Sequence, residues 1–141
     1  MAISFSYQLD SFELENPDKI KKWITRIIND AHCRVGTIGY LFCSDEFLFE
    51  ANVKYLNHDT LTDIITFDYV ESNLISGDIM ISVDRVGENA RLFDVSFEQE
   101  LHRVIIHGIL HLLGQGDKSD IEAAEMRDKE NAALQIWETM E

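Results

Sequence analysis

The run VIIHGILHLL, residues 104–113, constrains this chain more than any other. Ser96 followed three residues later by Gln99 has the pattern of a capping box, which opens a helix reaching to about Leu113. Val104, Ile105, Ile106, Ile109, Leu110, Leu112 and Leu113 make that helix apolar on almost every side, so it must be buried within other elements. A chain of 141 residues with 45% hydrophobic content can supply that cover from one core. One proline and seven glycines leave no evident linker, and residues 1–141 are expected to form a single domain.

The covering elements are readable from periodicity. ISFSYQL alternates apolar and polar residues as a first strand. Asn16 and Pro17 have the residue types of an N-cap and first helical position, and Ile20, Trp23, Ile24, Ile27 and Ile28 continue at helical spacing to about His32. RVGTIGYLFCS is a second strand, and Ser44 caps a second helix, DEFLFEANVKYLN. TDIITFDYV and ISGDIMISV read as two strands separated by the short polar break ESN, spacing that suits antiparallel neighbours. DRVGENARLF is a short helix, and Ser119 with Glu122 forms a second capping box that opens a final helix to about Thr139. The order predicts an α+β fold, a small mixed four-stranded sheet with covering helices.

Composition excludes several functions. The opening residues MAISFSYQLD lack the basic and apolar regions of a signal peptide, and no apolar run approaches membrane-spanning length. Cys33 and Cys43 form neither a CxxC motif nor a disulfide framework and read as reduced thiols. A soluble cytoplasmic protein with no membrane partner is expected. The 12 basic and 26 acidic residues give a net charge of −14, which disfavours nonspecific attraction to phosphate backbones. No DNA partner is expected, and any RNA path must be built from few cationic side chains.

Within the apolar helix, His107 and His111 are four residues apart, about 40° around the axis and one turn along it, so one face offers two imidazoles. Gly114 follows where a chain leaving a helix often turns left-handed, and such a reversal can carry Asp117 back across the histidine face. Two imidazoles and a carboxylate leave at least one coordination position open for water or substrate, and one Zn2+ suits this donor set best. Manganese, iron and nickel accept the same ligand types. The alternative is a pair of ordinary helix histidines with satisfied hydrogen bonds, but two imidazoles in so apolar a helix need polar partners. A peptidase helix of the HExxH type has a glutamate after the first histidine as general base; here that position is Gly108, which argues against peptidase chemistry.

HGILHLLGQGD resembles the signature of the YbeY family of metal-dependent endoribonucleases, through His107, Gly108, Leu110, His111, Leu112 and Gly114. Gln115 stands where that signature has tyrosine, Gly116 where it has aspartate, and Asp117 where it has a third histidine ligand. NVKYLNHDTLTDIITF, residues 52–67, is similar to a second family block through Asn52, Tyr55, Asp59, Thr62, Asp63 and Phe67. Leu56 replaces an arginine associated with RNA handling, His58 a usually basic residue and Leu61 a proline. SGDIMIS matches a third block at Gly77, Asp78 and Ile79. The resemblance implies an α+β domain with a zincin-like metal helix and a zinc-dependent single-strand endoribonuclease. It also implies a role in rRNA maturation, including small-subunit three-prime end processing, and in ribosome assembly. Ribosomal RNA and ribosomal or assembly proteins are the implied partners.

Two further residues are candidates for substrate contact. Arg103 lies four residues before His107 on the same face and can meet a phosphate bidentately, or pair with Glu100 or a carboxylate of the last helix. His58 can contact a phosphate or donate a proton, or it is an exposed turn residue. His102, about 140° from the ligand face, reads as structural, and His32 as complementing the C-terminus of the first helix. Two other functions fit the same residues. One is an assembly factor with a structural metal, favoured by the acidic charge and Leu56; the other is a metal-dependent hydrolase of another ester or amide.

Overall fold

The computed structural model describes residues 2–57 and 62–141. Along the chain run β1 (Ala2–Tyr7), α1 (Pro17–Asp30), β2 (Arg34–Cys43), α2 (Asp45–Leu56), β3 (Ile64–Asp68), β4 (Leu74–Ser82), α3 (Val83–Phe93), α4 (Phe97–Leu112) and α5 (Asp120–Thr139). Among the described residues the strands form one four-stranded sheet in the order β1-β2-β4-β3. β1–β2 and β2–β4 are parallel, whereas β3 and β4 are antiparallel, as their short connection predicts. The expected α+β class with a mixed sheet is what the chain forms. No described helix is long and apolar enough to cross a membrane.

Strand register decides which side chains receive α4. Ile3 pairs with Ile38, Ile38 with Gly77, Tyr40 with Ile79 and Phe42 with Ile81. Because strand side chains alternate between faces, these residues gather on one surface, and the large cluster joins them to α1, α4 and α5. The Tyr40 hydroxyl donates to Ile105 O of α4 at 2.9 Å and satisfies its one buried polar atom there. The opposite face carries a smaller cluster of Cys43, Leu48, Ala51 and Ile65 beneath α2.

Capping agrees with the sequence at three helices. The hydroxyls of Ser44, Ser96 and Ser119 accept from the N–H groups of Phe47, Gln99 and Glu122. Both halves of a capping box form at Ser119, whereas at Ser96 only the hydroxyl half of the expected box forms. Asn16 differs: it adopts a left-handed conformation (φ 54°), outside the extended geometry that aims an N-cap side chain at the first turn, and makes no side-chain cap. α1 also stops at Asp30, two residues short of His32, because His32 turns left-handed (φ 61°) with its N–H on Asn29 O.

α5 buries Met126, Glu130, Ala133 and Trp137. Ile121, five positions before Met126, lies about 140° from that stripe and is 75% exposed, so it takes no part in the core. His102 sits against Trp137 at 4.2 Å between ring centroids and near Trp23 at 5.8 Å. Burial, aided by the Lys19 charge, pulls its pKa down to about 4, which keeps this packing imidazole neutral.

Gly77 fixes how closely the end of α4 approaches the sheet. A Cβ there would lie 2.6 Å from the Phe67 carbonyl and 3.0 Å from Leu112 Cδ2. Relief requires β3 or the α4 terminus to move, so Gly77→Ala is expected to lower stability by about 1–3 kcal/mol. Urea denaturation checks this; an unchanged midpoint would contradict the packing.

Candidate functional site

Ten residues of α4 are buried, from Glu100 to Leu112, and they commit most of the helix surface to the sheet and neighbouring helices. Gly108 faces β3 and β4, where a Cβ would meet Ile79 Cδ1 at 2.9 Å and Ile64 Cδ1 at 3.2 Å. A glutamate at this position would have to push aside the Ile79 and Ile64 side chains, which gives a packing reason for glycine there. The remaining stripe, Arg103, His107 and His111, is partly open. His107 is half-buried, and His111 is exposed, so the expectation that both imidazoles lie deep in the interior holds only in part. In the last turn of α4, Ile109, Leu110 and Leu112 stay buried while His111 lies on the outward face, at the surface.

α4 ends in a paired closure: the Gly114 N–H bonds His111 O at 3.0 Å, and the Gln115 N–H bonds Leu110 O at 3.0 Å. This is the Schellman geometry, which needs a left-handed residue after the cap, and Gly114 supplies it at φ 99°. The chain then turns back along the helix. The Gln115 side chain donates to Gly116 O at 2.9 Å, and Gly116 lies so close to the Glu122 carboxylate that a Cβ would collide with it. Asp117 Oδ2 comes to rest 3.3 Å from His107 Nε2.

Behind His107, its Nδ1 lies 2.7 Å from Glu130 Oε2 of α5. The same carboxylate accepts from Arg103 Nη1 at 2.9 Å, and Arg103 Nη2 donates to Asn131 Oδ1 at 2.9 Å. Glu130 is 6% exposed, so it is held in place by partners rather than by water. Burial alone would raise its pKa, but the hydrogen bonds from His107 and Arg103 outweigh burial and hold the carboxyl below its usual range. Burial alone would lower the His107 pKa; the Glu130 hydrogen bond and charge, with Asp117 and Asp63, outweigh it and raise the value. Both displacements favour an ionised Glu130 that accepts a hydrogen bond from the His107 Nδ1–H, while Nε2 faces Asp117.

The predicted residues are therefore distributed unevenly. His107 and Asp117 are in contact, and Arg103 joins them through Glu130. Its guanidinium takes the alternative expected for it, a carboxylate of the last helix, and is occupied there. His111 lies one turn beyond His107, and its ring bonds none of the described residues. His58 lies outside the described residues. Among the described residues, no three His, Cys, Asp or Glu side chains stand together as a coordination cluster. The donor chemistry nevertheless suits a divalent cation: a borderline imidazole nitrogen oriented by a carboxylate, facing a second carboxylate, with another imidazole one turn away.

Sequence reasoning did not single out two residues at this site. Glu130 occupies a core position of α5, on the stripe of Met126, Ala133 and Trp137, and a carboxylate at such a position was the available signal. Asp63, just before β3, has its pKa raised by burial despite the lowering influence of His107. It matched a family block but carried no periodic signal of its own.

The family model described as Endoribonuclease YbeY matches residues 5–138. An Endoribonuclease YbeY from Flavobacterium johnsoniae is 50% identical over 135 residues, covering 96% of each chain. One from Porphyromonas gingivalis is 51% identical over 115 residues, covering 82% of this chain and 76% of its own. The solution structure of a Thermotoga maritima protein superposes with a TM-score of 0.69 at 28% identity, covering 96% of this chain and 89% of that one. With the family match spanning the whole fold from β1 to α5, and with relatives about half identical along it, this chain belongs to the Endoribonuclease YbeY family.

Proposed function

We propose that this protein is a zinc-dependent single-strand endoribonuclease, a single metal-dependent hydrolase domain acting in cytoplasmic rRNA maturation and ribosome assembly. Small-subunit three-prime end processing is the step its family suggests. The observation that carries the reading is the approach of Asp117 to His107 Nε2 while Glu130 engages Nδ1 of the same ring. In this reading α4 is the zincin-like metal helix, and His107, His111 and Asp117 hold one Zn2+.

Bound there, zinc supplies Lewis acidity that polarises a phosphodiester oxygen and makes water a stronger acid. The protein's own part is orientation. Glu130 accepts a hydrogen bond from the His107 Nδ1–H and so orients the tautomer whose Nε2 lone pair would ligate an ion. Arg103, itself anchored by Asn131, holds Glu130 in register and so acts as a positioning residue. An aspartate in the third ligand position, where the family signature has histidine, makes the ligand set more negative. Asp117 is on the surface side of the site, 41% exposed, so a strand of RNA could reach an ion held by these residues.

A second reading keeps the fold and the metal but makes the protein an assembly factor with a structural ion. The net charge of −14 and Leu56 in place of the family's arginine favour it. Cleavage of single-stranded RNA by nuclease-free protein separates the two, since an assembly factor with a structural ion leaves the RNA intact. His111→Ala is expected to abolish both stoichiometric zinc and RNA cleavage, read by metal analysis and gel assay. Retention of full zinc and full activity would show that the ligand assignment is wrong.

Glu130→Gln keeps the side-chain volume but removes the charge that orients His107. Loss of such an orienting carboxylate typically costs 10–100-fold in metal affinity. A fall of roughly that size in competition titration against a zinc chelator is expected, with the far-ultraviolet circular dichroism spectrum unchanged. An unaltered zinc affinity would remove Glu130 from the account.

A further inference from the structure

A cleft of about 240 Å³ opens beside His107, between the facing stripes of three helices. α3 contributes Asn89 and Phe93, four residues apart; α4 contributes Glu100, Arg103, Val104 and His107; α5 contributes Arg127 and Glu130. Asp63 closes the end nearest the sheet. This volume lies below the ~300–1,000 Å³ of pockets that enclose whole drug-sized ligands, and suits one planar heterocycle.

The lining favours a neutral ring over a phosphate. Three carboxylates, those of Asp63, Glu100 and Glu130, meet two guanidiniums, and Arg103 is already engaged by Glu130 and Asn131. Glu100 is buried in a cleft it shares with the Asp63 and Glu130 carboxylates, so an added anion would meet repulsion. Carboxylates at the back of a cleft accept N–H donors. At the mouth, Phe93 is 54% exposed, and the Asn89 carboxamide bonds none of the described residues. An aromatic face at the rim, a free amide and acceptors behind them are the components by which proteins hold an unstacked base.

We propose that this cleft is a base subsite, in which one unstacked nucleobase of single-stranded RNA lies against Phe93 with its N–H edge toward Glu100 and Asp63. The inference deepens the ribonuclease reading and rests on it for the identity of the strand. With a base seated there, the adjoining phosphodiester lies on the His107 side of the cleft. A strongly acidic protein then gains RNA affinity from stacking and N–H recognition instead of from a basic surface.

The test is a double-mutant cycle on the zinc-loaded protein, with fluorescence anisotropy of cleavage-resistant phosphorothioate RNA. The single-stranded oligonucleotides carry one abasic ribose at each position in turn. One abasic position is expected to weaken wild-type binding about tenfold, the scale of a single base–aromatic stack. Phe93→Leu is expected to weaken the intact oligonucleotide by a similar factor with no further loss at that position, and Phe93→Trp to restore binding. Abasic penalties that are the same in wild type and Phe93→Leu overturn the subsite, as does failure of the wild type to bind RNA. Cleavage of unmodified RNA is followed in parallel. Its absence contradicts the ribonuclease reading, while the binding cycle still decides the subsite.

Discussion

Burial of α4 against the sheet leaves one stripe of that helix uncommitted, and the site is assembled from that stripe. The helix can lie so close because Gly108 has no side chain toward Ile79 and Ile64, and because Gly77 yields to Leu112 at the other end of the contact. Once that packing is set, the rotation of the helix is set with it. Arg103, His107 and His111 must then point away from the core, toward α5 and the returning loop. The same close packing that builds the core would crowd any side chain at position 108 against Ile79 and Ile64.

The loop after α4 completes the geometry at the expense of ordinary backbone preference. Gly114 takes a left-handed conformation that a side chain would strain, and the two closing hydrogen bonds to His111 and Leu110 hold it there. Asp117 consequently reaches His107 from one side while Glu130 holds it from the other. A ring pinned between two carboxylates has little orientational freedom, so this part of the proposed ligand set is already oriented. The His111 ring has no such hold among the described residues.

Much of this could be read from the sequence where local rules govern. Ser44, Ser96 and Ser119 announced their helices, alternation marked the strands, and the His107–His111 spacing with Gly114 and Asp117 implied a reversal onto the histidine face. What escaped reading depends on contacts between distant segments. Nothing near Glu130 says that it lies against His107, twenty-three residues away. Arg103 left two alternatives open until the placement of α5 decided its partner. The exposure of His111 also depends on which face of α4 the other elements cover, which composition does not record, and the left-handed turn at Asn16 overrode a residue type that usually caps.

The central claim is that one cation draws His107, His111 and Asp117 together on the α4 face. Anomalous diffraction from zinc-loaded crystals, collected across the zinc absorption edge, tests it most directly. One peak is expected within about 2.0–2.2 Å of His107 Nε2, a His111 ring nitrogen and an Asp117 oxygen. An ion bound elsewhere, or one held by the histidines while Asp117 turns to solvent, would contradict the account.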